Sequence, residues 1–175
     1  MIFFWMMGCG AIDSLLTIEI AESSQVTVEQ GTVLEDLLGD LGFGDFVSMD
    51  LTQSQELTNQ GVEPGDISRV TLTLLELEAL EPAGADLNFF EKMTFFAEAP
   101  DIEQVRIADA PEFPVGESVV VFNRDDVDLT PYVVSESMTL STDVTASRPE
   151  QDTLIEARFV IEVQATIQGV QNQLE

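Results

Sequence analysis

The segment from Ile155 to Ile167 constrains the fold more than any other part of the chain, because every second residue in it is apolar. In a β-strand, successive side chains point to opposite faces, so the apolar pattern repeats every two residues, whereas in a helix it repeats about every 3.6 residues. Most of the intervening residues are polar, among them Glu156, Arg158 and Glu162. We therefore predict a long strand with one buried and one solvated face, which is typical of antiparallel sheets.

Shorter alternating segments predict further strands. Leu15–Ile20 alternates, and the pattern resumes at Val26 and Val28 after the polar triplet Glu22-Ser23-Ser24, which predicts two short strands here. The later segments show either the same alternation or a short apolar run that we expect to be buried. The alternating ones lie at 93–97, 105–107 and 138–146, and the apolar run lies at 118–122.

The strand that begins near Arg69 changes phase in its middle. Alternate apolar residues from Val70 to Leu74 share one face, and those from Leu75 to Ala79 take the other. An extra residue in one strand shifts its phase in this way, so we expect a β-bulge or a bend between two sheets.

The turn Arg148-Pro149-Glu150-Gln151 separates the last two strand segments, which predicts a long hairpin around Pro149. About eight short strands with turns between them and one solvated face indicate a mainly β fold. We predict an antiparallel β-sandwich, immunoglobulin-like or jelly-roll-like, in which one short helix caps an end. Residues 15–167 are expected to form this single domain, and 168–175 a polar tail.

The predicted helix spans Val33–Leu41, where the apolar period changes to that of a helix. Thr32 and Glu35 have the spacing of a capping box, and Gly42 is a natural stop. A second helical turn is predicted from Thr52. Together these segments form a helical insertion at about 31–58 in a chain that is otherwise β-rich.

The charge of the chain excludes nucleic acid as a direct partner. There are 33 acidic and 6 basic residues, for a formal net charge of −27. Phosphate binding needs clustered Lys and Arg, and the six basic residues are scattered along the sequence.

The missing histidine excludes most catalytic and metal chemistry. Without an imidazole there is no Ser-His-Asp triad, no Cys-His dyad and no His-containing zinc, copper or iron site. The single cysteine excludes an intrachain disulfide. We expect a non-enzymatic protein without a cofactor. The exception is calcium, which binds through oxygen ligands and needs neither histidine nor cysteine. The catalytic alternative is a carboxylate-dependent hydrolase.

The densest acidic cluster is Asn123-Arg124-Asp125-Asp126-Val127-Asp128, in a predicted loop after a strand. Asn123, Asp125, Asp126 and Asp128 offer the oxygen ligands that calcium prefers, although the cluster lacks the EF-hand pattern. The alternative is a solvated turn. Such a turn needs no metal.

Two groups of phenylalanines lie in predicted turns. The first group is Phe43, between two glycines, and Phe46, which follows Asp45; the second is Phe89 and Phe90, which follow Asn88. They are either plugs that close the ends of the core or an exposed contact patch for a partner.

The amino-terminal segment is an apolar run, Ile2–Met7, that ends at Gly8 and Cys9. Met6-Met7-Gly8-Cys9 resembles the lipobox of bacterial lipoproteins. The resemblance implies that 1–8 is the remnant of a signal-peptide apolar region, that cleavage precedes Cys9, and that Cys9 is acylated. Residues 9–14 then form the anchor and tether. The alternative is that Ile2–Met7 is a buried first strand and Cys9 a core thiol.

These features together predict a lipid-anchored, secreted protein of the bacterial envelope with a binding or structural role. Its location is the outer membrane through the acyl anchor, or the periplasm or cell exterior. Its partners are the membrane, through the anchor, and a protein or glycan that the sequence does not identify. The alternative is a soluble acidic extracellular binding or adhesion module that uses calcium at the 123–128 loop.

Overall fold

The computed structural model describes residues 15–31, 55–135 and 138–166. The strands in these ranges are β1 (Leu15–Val28), β2 (Ile67–Glu81), β3 (Phe90–Ala99), β4 (Ile102–Ala110), β5 (Val119–Val121), β6 (Asn123–Arg124), β7 (Thr139–Ala146) and β8 (Thr153–Thr166). Two short helices, α1 (Gln55–Asn59) and α2 (Thr130–Val133), and one 3₁₀ turn (Pro64–Asp66) accompany them.

The strands form two antiparallel sheets that enclose one core. Sheet A has the order β1-β8-β2-β5, and sheet B has the order β6-β4-β3-β7. Buried residues from both sheets belong to a single apolar cluster. The predicted antiparallel β-sandwich is therefore confirmed.

The long alternating segment is β8, which lies between β1 and β2 in sheet A. Its odd-numbered residues from Thr153 to Ala165 are buried, and most of the even-numbered ones are partly or fully exposed. The predicted two-faced strand is confirmed over this range. Ile167, the last residue of the predicted pattern, lies outside the described residues.

The predicted division of the first β segment into two strands is wrong, because β1 is continuous. Glu22, Ser23 and Ser24 stay in register with β8, opposite Phe159, Arg158 and Ala157. A neighbouring strand that offers backbone partners throughout outweighs the low β-propensity of these polar residues.

The predicted hairpin around Pro149 is also wrong. β7 pairs with β3 in sheet B, whereas β8 pairs with β1 and β2 in sheet A. The segment between them crosses from one sheet to the other. It is held at its start and its middle, since Ser147 N donates to Phe89 O at 2.7 Å and Gly31 N donates to Pro149 O at 3.0 Å. Alternation and a turn signal do not specify which sheet a strand joins.

The predicted phase change in β2 is confirmed as a bulge. The register against β8 shifts between Leu72 and Leu74. The hydroxyl of Thr73 donates to Val160 O across this irregularity at 3.1 Å. Both halves of β2 therefore direct their apolar side chains into the core.

A chain of aromatic rings runs through the core from one end of the sandwich. Phe89 and Phe90 have ring centroids 4.4 Å apart, and Phe90 and Phe113 5.3 Å apart. Phe122 lies 6.1 Å from Phe113 and 5.2 Å from Phe95 in edge-to-face contacts.

Two members of the predicted contact patch belong to this core. Phe89 and Phe90 are only 6% and 1% exposed, so they plug the core and offer no exposed surface. The expectation of a contact patch is wrong for these two residues. Phe43 and Phe46 lie outside the described residues.

The predicted helix Val33–Leu41 also lies outside the described residues. The helical turn predicted from Thr52 corresponds to α1, which begins at Gln55 and buries Leu57. In the described ranges, no helix has the length and apolar character needed to cross a membrane.

Candidate functional site

The acidic segment 123–128 lies at the side of the sandwich where edges of the two sheets meet. The chain leaves β5 in sheet A, passes Phe122 and enters β6 in sheet B. Phe122 N donates to Leu75 O on β2 at 2.9 Å, and Asn123 lies opposite Asp109 on β4. The segment therefore begins as a bridge between the sheets.

Asp125 ties the segment to β4. Its carboxylate accepts from Nε of Arg106 at 2.7 Å and from Nη2 at 3.0 Å, and its own N–H donates to Ile107 O at 2.9 Å. The hydrogen bond and the charge of Asp125 raise the pKa of Arg106 above its ordinary value. Two-point contacts of this kind fix direction as well as distance.

Asp126 ties the next residue to the other sheet. Its Oδ1 lies 2.9 Å from Nη2 of Arg69 on β2. Asp126 is 89% exposed, so solvent screens this pair more strongly than the Arg106–Asp125 pair. Consecutive aspartates thus contact arginines on different sheets.

Asp128 ends the segment with hydrogen bonds to two backbone regions. It accepts from the N–H of Thr130 at 3.0 Å, from the hydroxyl of Thr130 at 2.6 Å and from Val70 N at 3.5 Å. Burial raises the pKa of Asp128, but these hydrogen bonds and the charge of Arg69 outweigh burial. The net result is a pKa below the ordinary value.

Arg124 reaches across the junction in the opposite direction. Its Nη1 donates to Leu72 O at 2.9 Å, next to the bulge in β2. Of the carboxylates that the structure describes, none lies within ion-pair distance of Arg124. Arg124 and Arg69 both line a cleft of about 400 Å³. The remaining lining residues come from β2 and from the acidic segment and are Thr71, Leu72, Thr73, Asp125 and Asp126.

The predicted calcium ligands are therefore adjacent in sequence but contact different partners. Asp125 and Asp126 bind arginines, Asp128 accepts from N–H and hydroxyl groups, and Asn123 is part of β6. Within 15–31, 55–135 and 138–166, no three His, Cys, Asp or Glu residues form a group that would hold a metal ion. Calcium binding at this loop stays a prediction. A cation there has to compete with guanidinium groups already present.

The arginines of this cluster are the part that sequence reasoning missed. Arg69, Arg106 and Arg124 are half of the six basic residues in the chain. They come from β2, β4 and β6, so they meet only because sheet A, which holds β2, lies beside sheet B, which holds β4 and β6. Of the three, only Arg124 stands next to the acidic residues in the sequence, so the sequence carried no signal for Arg69 and Arg106.

A second cavity, of about 360 Å³, opens at the end of the sandwich near Phe89. Two of its polar lining residues bond to each other, since Asp86 Oδ2 accepts from the Asn88 amide at 3.1 Å, and the same oxygen accepts from Gly116 N at 2.7 Å. Arg148 and Glu150, in the segment that crosses between the sheets, also line it.

The predicted lipidation site, Cys9, lies outside the described residues.

Comparisons with known proteins add no family to these observations. No protein-family model matches the chain, and a search of curated proteins finds no relative.

Proposed function

We propose that this protein is a non-enzymatic β-sandwich module of the bacterial cell envelope, anchored through acyl chains on Cys9. The observation that carries the proposal is the lipobox-like Met6-Met7-Gly8-Cys9, which stands shortly before β1 begins at Leu15. The five residues between Cys9 and Leu15 reach about 17 Å when extended. An acylated Cys9 would hold the sandwich close to the membrane surface.

The charge of the chain fits an anchor better than direct contact with lipid. A domain with a net charge of −27 is repelled by anionic headgroups. Acyl chains supply the membrane affinity instead, at about 0.8 kcal/mol per buried methylene. More than one chain is needed for stable anchoring, and lipobox cysteines carry several according to the resemblance.

The side chains of the acidic cluster support a binding or structural role. Asp125, Asp126 and Asp128 each have a donor from another part of the sandwich. Carboxylates engaged in this way stabilise the junction of the two sheets. General acid–base work instead needs a carboxylate held in reach of a substrate.

Metabolic labelling with a radioactive fatty acid tests the proposal in cells that carry the gene at its native locus. We expect label on the wild-type protein and on Ser14→Ala, a matched substitution in the tether, but not on Cys9→Ser. The Cys9→Ser protein should also move from the membrane fraction to the soluble fraction. Label that survives in Cys9→Ser, or unchanged fractionation of that variant, contradicts the proposal.

A further inference from the structure

The exposed large apolar side chains of the described residues are concentrated around β5. Val115, Val119 and Val121 are 83%, 39% and 57% exposed, and Val134 is the fourth such residue. The predicted buried run at 118–122 is therefore wrong for Val119 and Val121, because three consecutive valines carry no alternation that reveals which of them faces outward. Val119 and Val121 lie on the outer face of sheet A, next to Glu78 and Glu76 of β2.

The backbone of β5 is also open on one side. Ser118 O accepts from Ala79 N at 2.7 Å, and Phe122 N donates to Leu75 O at 2.9 Å, so these residues direct their polar groups towards β2. Backbone groups alternate in direction along an antiparallel strand. The N–H and C=O groups of Val119 and Val121 therefore point away from β2, and no residue in the described ranges bonds to them.

A groove of about 380 Å³ runs along this open side. β5 forms one wall, and Pro111 and Pro114 lie in the loop that forms the other. A proline has no N–H, so these two residues do not compete for the acceptors of an incoming strand. Among the residues that the structure describes, Glu112 and Glu117 are the charged ones that line the groove, and none of the described Lys or Arg residues does so.

We propose that this groove binds an extended segment of a partner polypeptide, which adds to sheet A as a strand beside β5. Backbone hydrogen bonds to Val119 and Val121 supply affinity, and side chains supply specificity. The segment carries apolar residues that cover the two valines and Lys or Arg residues that face Glu112 and Glu117. This inference gives the proposed binding role a class of partner, and it rests on that role and not on Cys9.

The charges favour a basic partner over a second copy of this chain. Two copies bring together two domains of net charge −27, as well as both sets of groove glutamates. Like charges at an interface suppress pairing, whereas an acidic field speeds the approach of a cationic partner. β5 is also only three residues long, so it offers few backbone hydrogen bonds. A partner of opposite charge adds electrostatic attraction to these few bonds, whereas an identical chain adds repulsion.

Isothermal titration with a short capped peptide of alternating valine and lysine tests the proposal on the full chain. The matched control is the same peptide N-methylated at every second residue, which keeps the charge and removes the backbone donors. We expect N-methylation to weaken binding about tenfold or more, because strand addition depends on main-chain hydrogen bonds. The unmodified peptide should also slow amide exchange at Val119 and Val121. Equal affinity of the two peptides, or no binding of the unmodified one, overturns the proposal.

A pair of variants locates the binding site. Val121→Asp should weaken peptide binding about tenfold, whereas Val134→Asp adds the same charge elsewhere on the surface and should leave binding unchanged. Circular dichroism and melting curves establish that both variants fold; if Val121→Asp does not, Glu112→Gln with Glu117→Gln replaces it and should weaken binding as well. Equal peptide affinities of the two Asp variants overturn the assignment.

Sedimentation velocity tests the competing occupant. A dimer that Val121→Asp disrupts assigns the groove to a second copy and overturns the partner proposed here. Failure of acylation at Cys9 affects none of these measurements, so the inference and the envelope anchor fail separately.

Discussion

Arg106 of β4 and Asp125 form a two-point ion pair, with Nε–Oδ2 and Nη2–Oδ1 distances of 2.7 and 3.0 Å. The next residue, Asp126, contacts Arg69 of β2 at 2.9 Å. Since β4 belongs to sheet B and β2 to sheet A, the two aspartates fasten one loop to both sheets. The segment that the sequence singled out for metal binding is held in place by arginines.

A double-mutant cycle measures the Arg106–Asp125 pair. We expect Asp125→Asn to lower the melting temperature and Arg106→Gln to lower it little further in that background, because each substitution removes the same contact. The coupling should shrink as NaCl screens this half-exposed pair. The matched control is Arg158→Gln, since Arg158 lies 3.5 Å from Glu76 and makes a weaker pair. We expect this substitution to lower the melting temperature less than Arg106→Gln does in the wild-type background. Fully additive effects of Asp125→Asn and Arg106→Gln contradict the expected coupling.

The hydrogen bonds to Asp128 predict a pH-dependent contribution to stability. Its folded-state pKa lies below the ordinary value of 3.8, so the folded protein binds this proton more weakly than the unfolded chain. The contribution is therefore complete above pH 3.8 and is lost as the pH falls through the folded-state pKa.

Urea unfolding of wild type and Asp128→Asn over a pH series measures this contribution as a difference. The gap in unfolding free energy should be largest near neutral pH and should close in acid. Asp143→Asn, on the exposed side of β7, is the control for the loss of one carboxylate. A gap that stays constant or widens as the pH falls refutes the expected sign.

Alternation along the chain predicted the class of fold because it reports which face of a strand is buried. It succeeded for β8 and for the bulge in β2, where the phase of Leu72 and Leu74 is visible in the sequence. It failed where the answer depends on a neighbouring strand. The polar triplet at 22–24 stays in β1 because β8 supplies partners, and the turn at Pro149 gives no sign that it changes sheets.

The candidate site was predictable only in part, for a related reason. The acidic segment is visible as a cluster in the sequence, but its partners come from strands that are distant along the chain. In the sequence, Arg69 and Arg106 look like isolated surface cations. Their ion pairs with Asp126 and Asp125 become visible only when the positions of β2 and β4 in the fold are known. The open edge of β5 is likewise a property of sheet order, which three identical valines do not encode.

The outer face of sheet A places like charges directly opposite one another. Glu19 of β1 faces Glu162 of β8, and like charges directly opposite one another destabilise a sheet. We expect Glu162→Gln to raise the unfolding free energy by up to about 1 kcal/mol, the scale of exposed charge pairs, and most strongly in dilute buffer. Glu76→Gln, which removes the partner of Arg158, should give no such gain. Urea unfolding at low and high NaCl checks both; a gain of equal size at both salt concentrations contradicts the electrostatic explanation.

The contacts of the 123–128 loop predict a weak response to calcium. A bound ion competes with Arg106 for Asp125 and with Arg69 for Asp126. We therefore expect calcium to give no more calorimetric heat than magnesium does at equal ionic strength. The melting temperature should also respond equally to the two ions. A calcium-specific rise that Asp125→Asn abolishes supports the alternative of a calcium-dependent adhesion module instead.

The intact mass of the protein purified from the membrane fraction of its own cells tests the central claim most directly. We predict a chain that begins at Cys9 and is heavier than the sequence 9–175 by the mass of its acyl groups, with fragmentation placing all of that added mass on Cys9. An unmodified Cys9 thiol, with residues 1–8 still attached, contradicts the account.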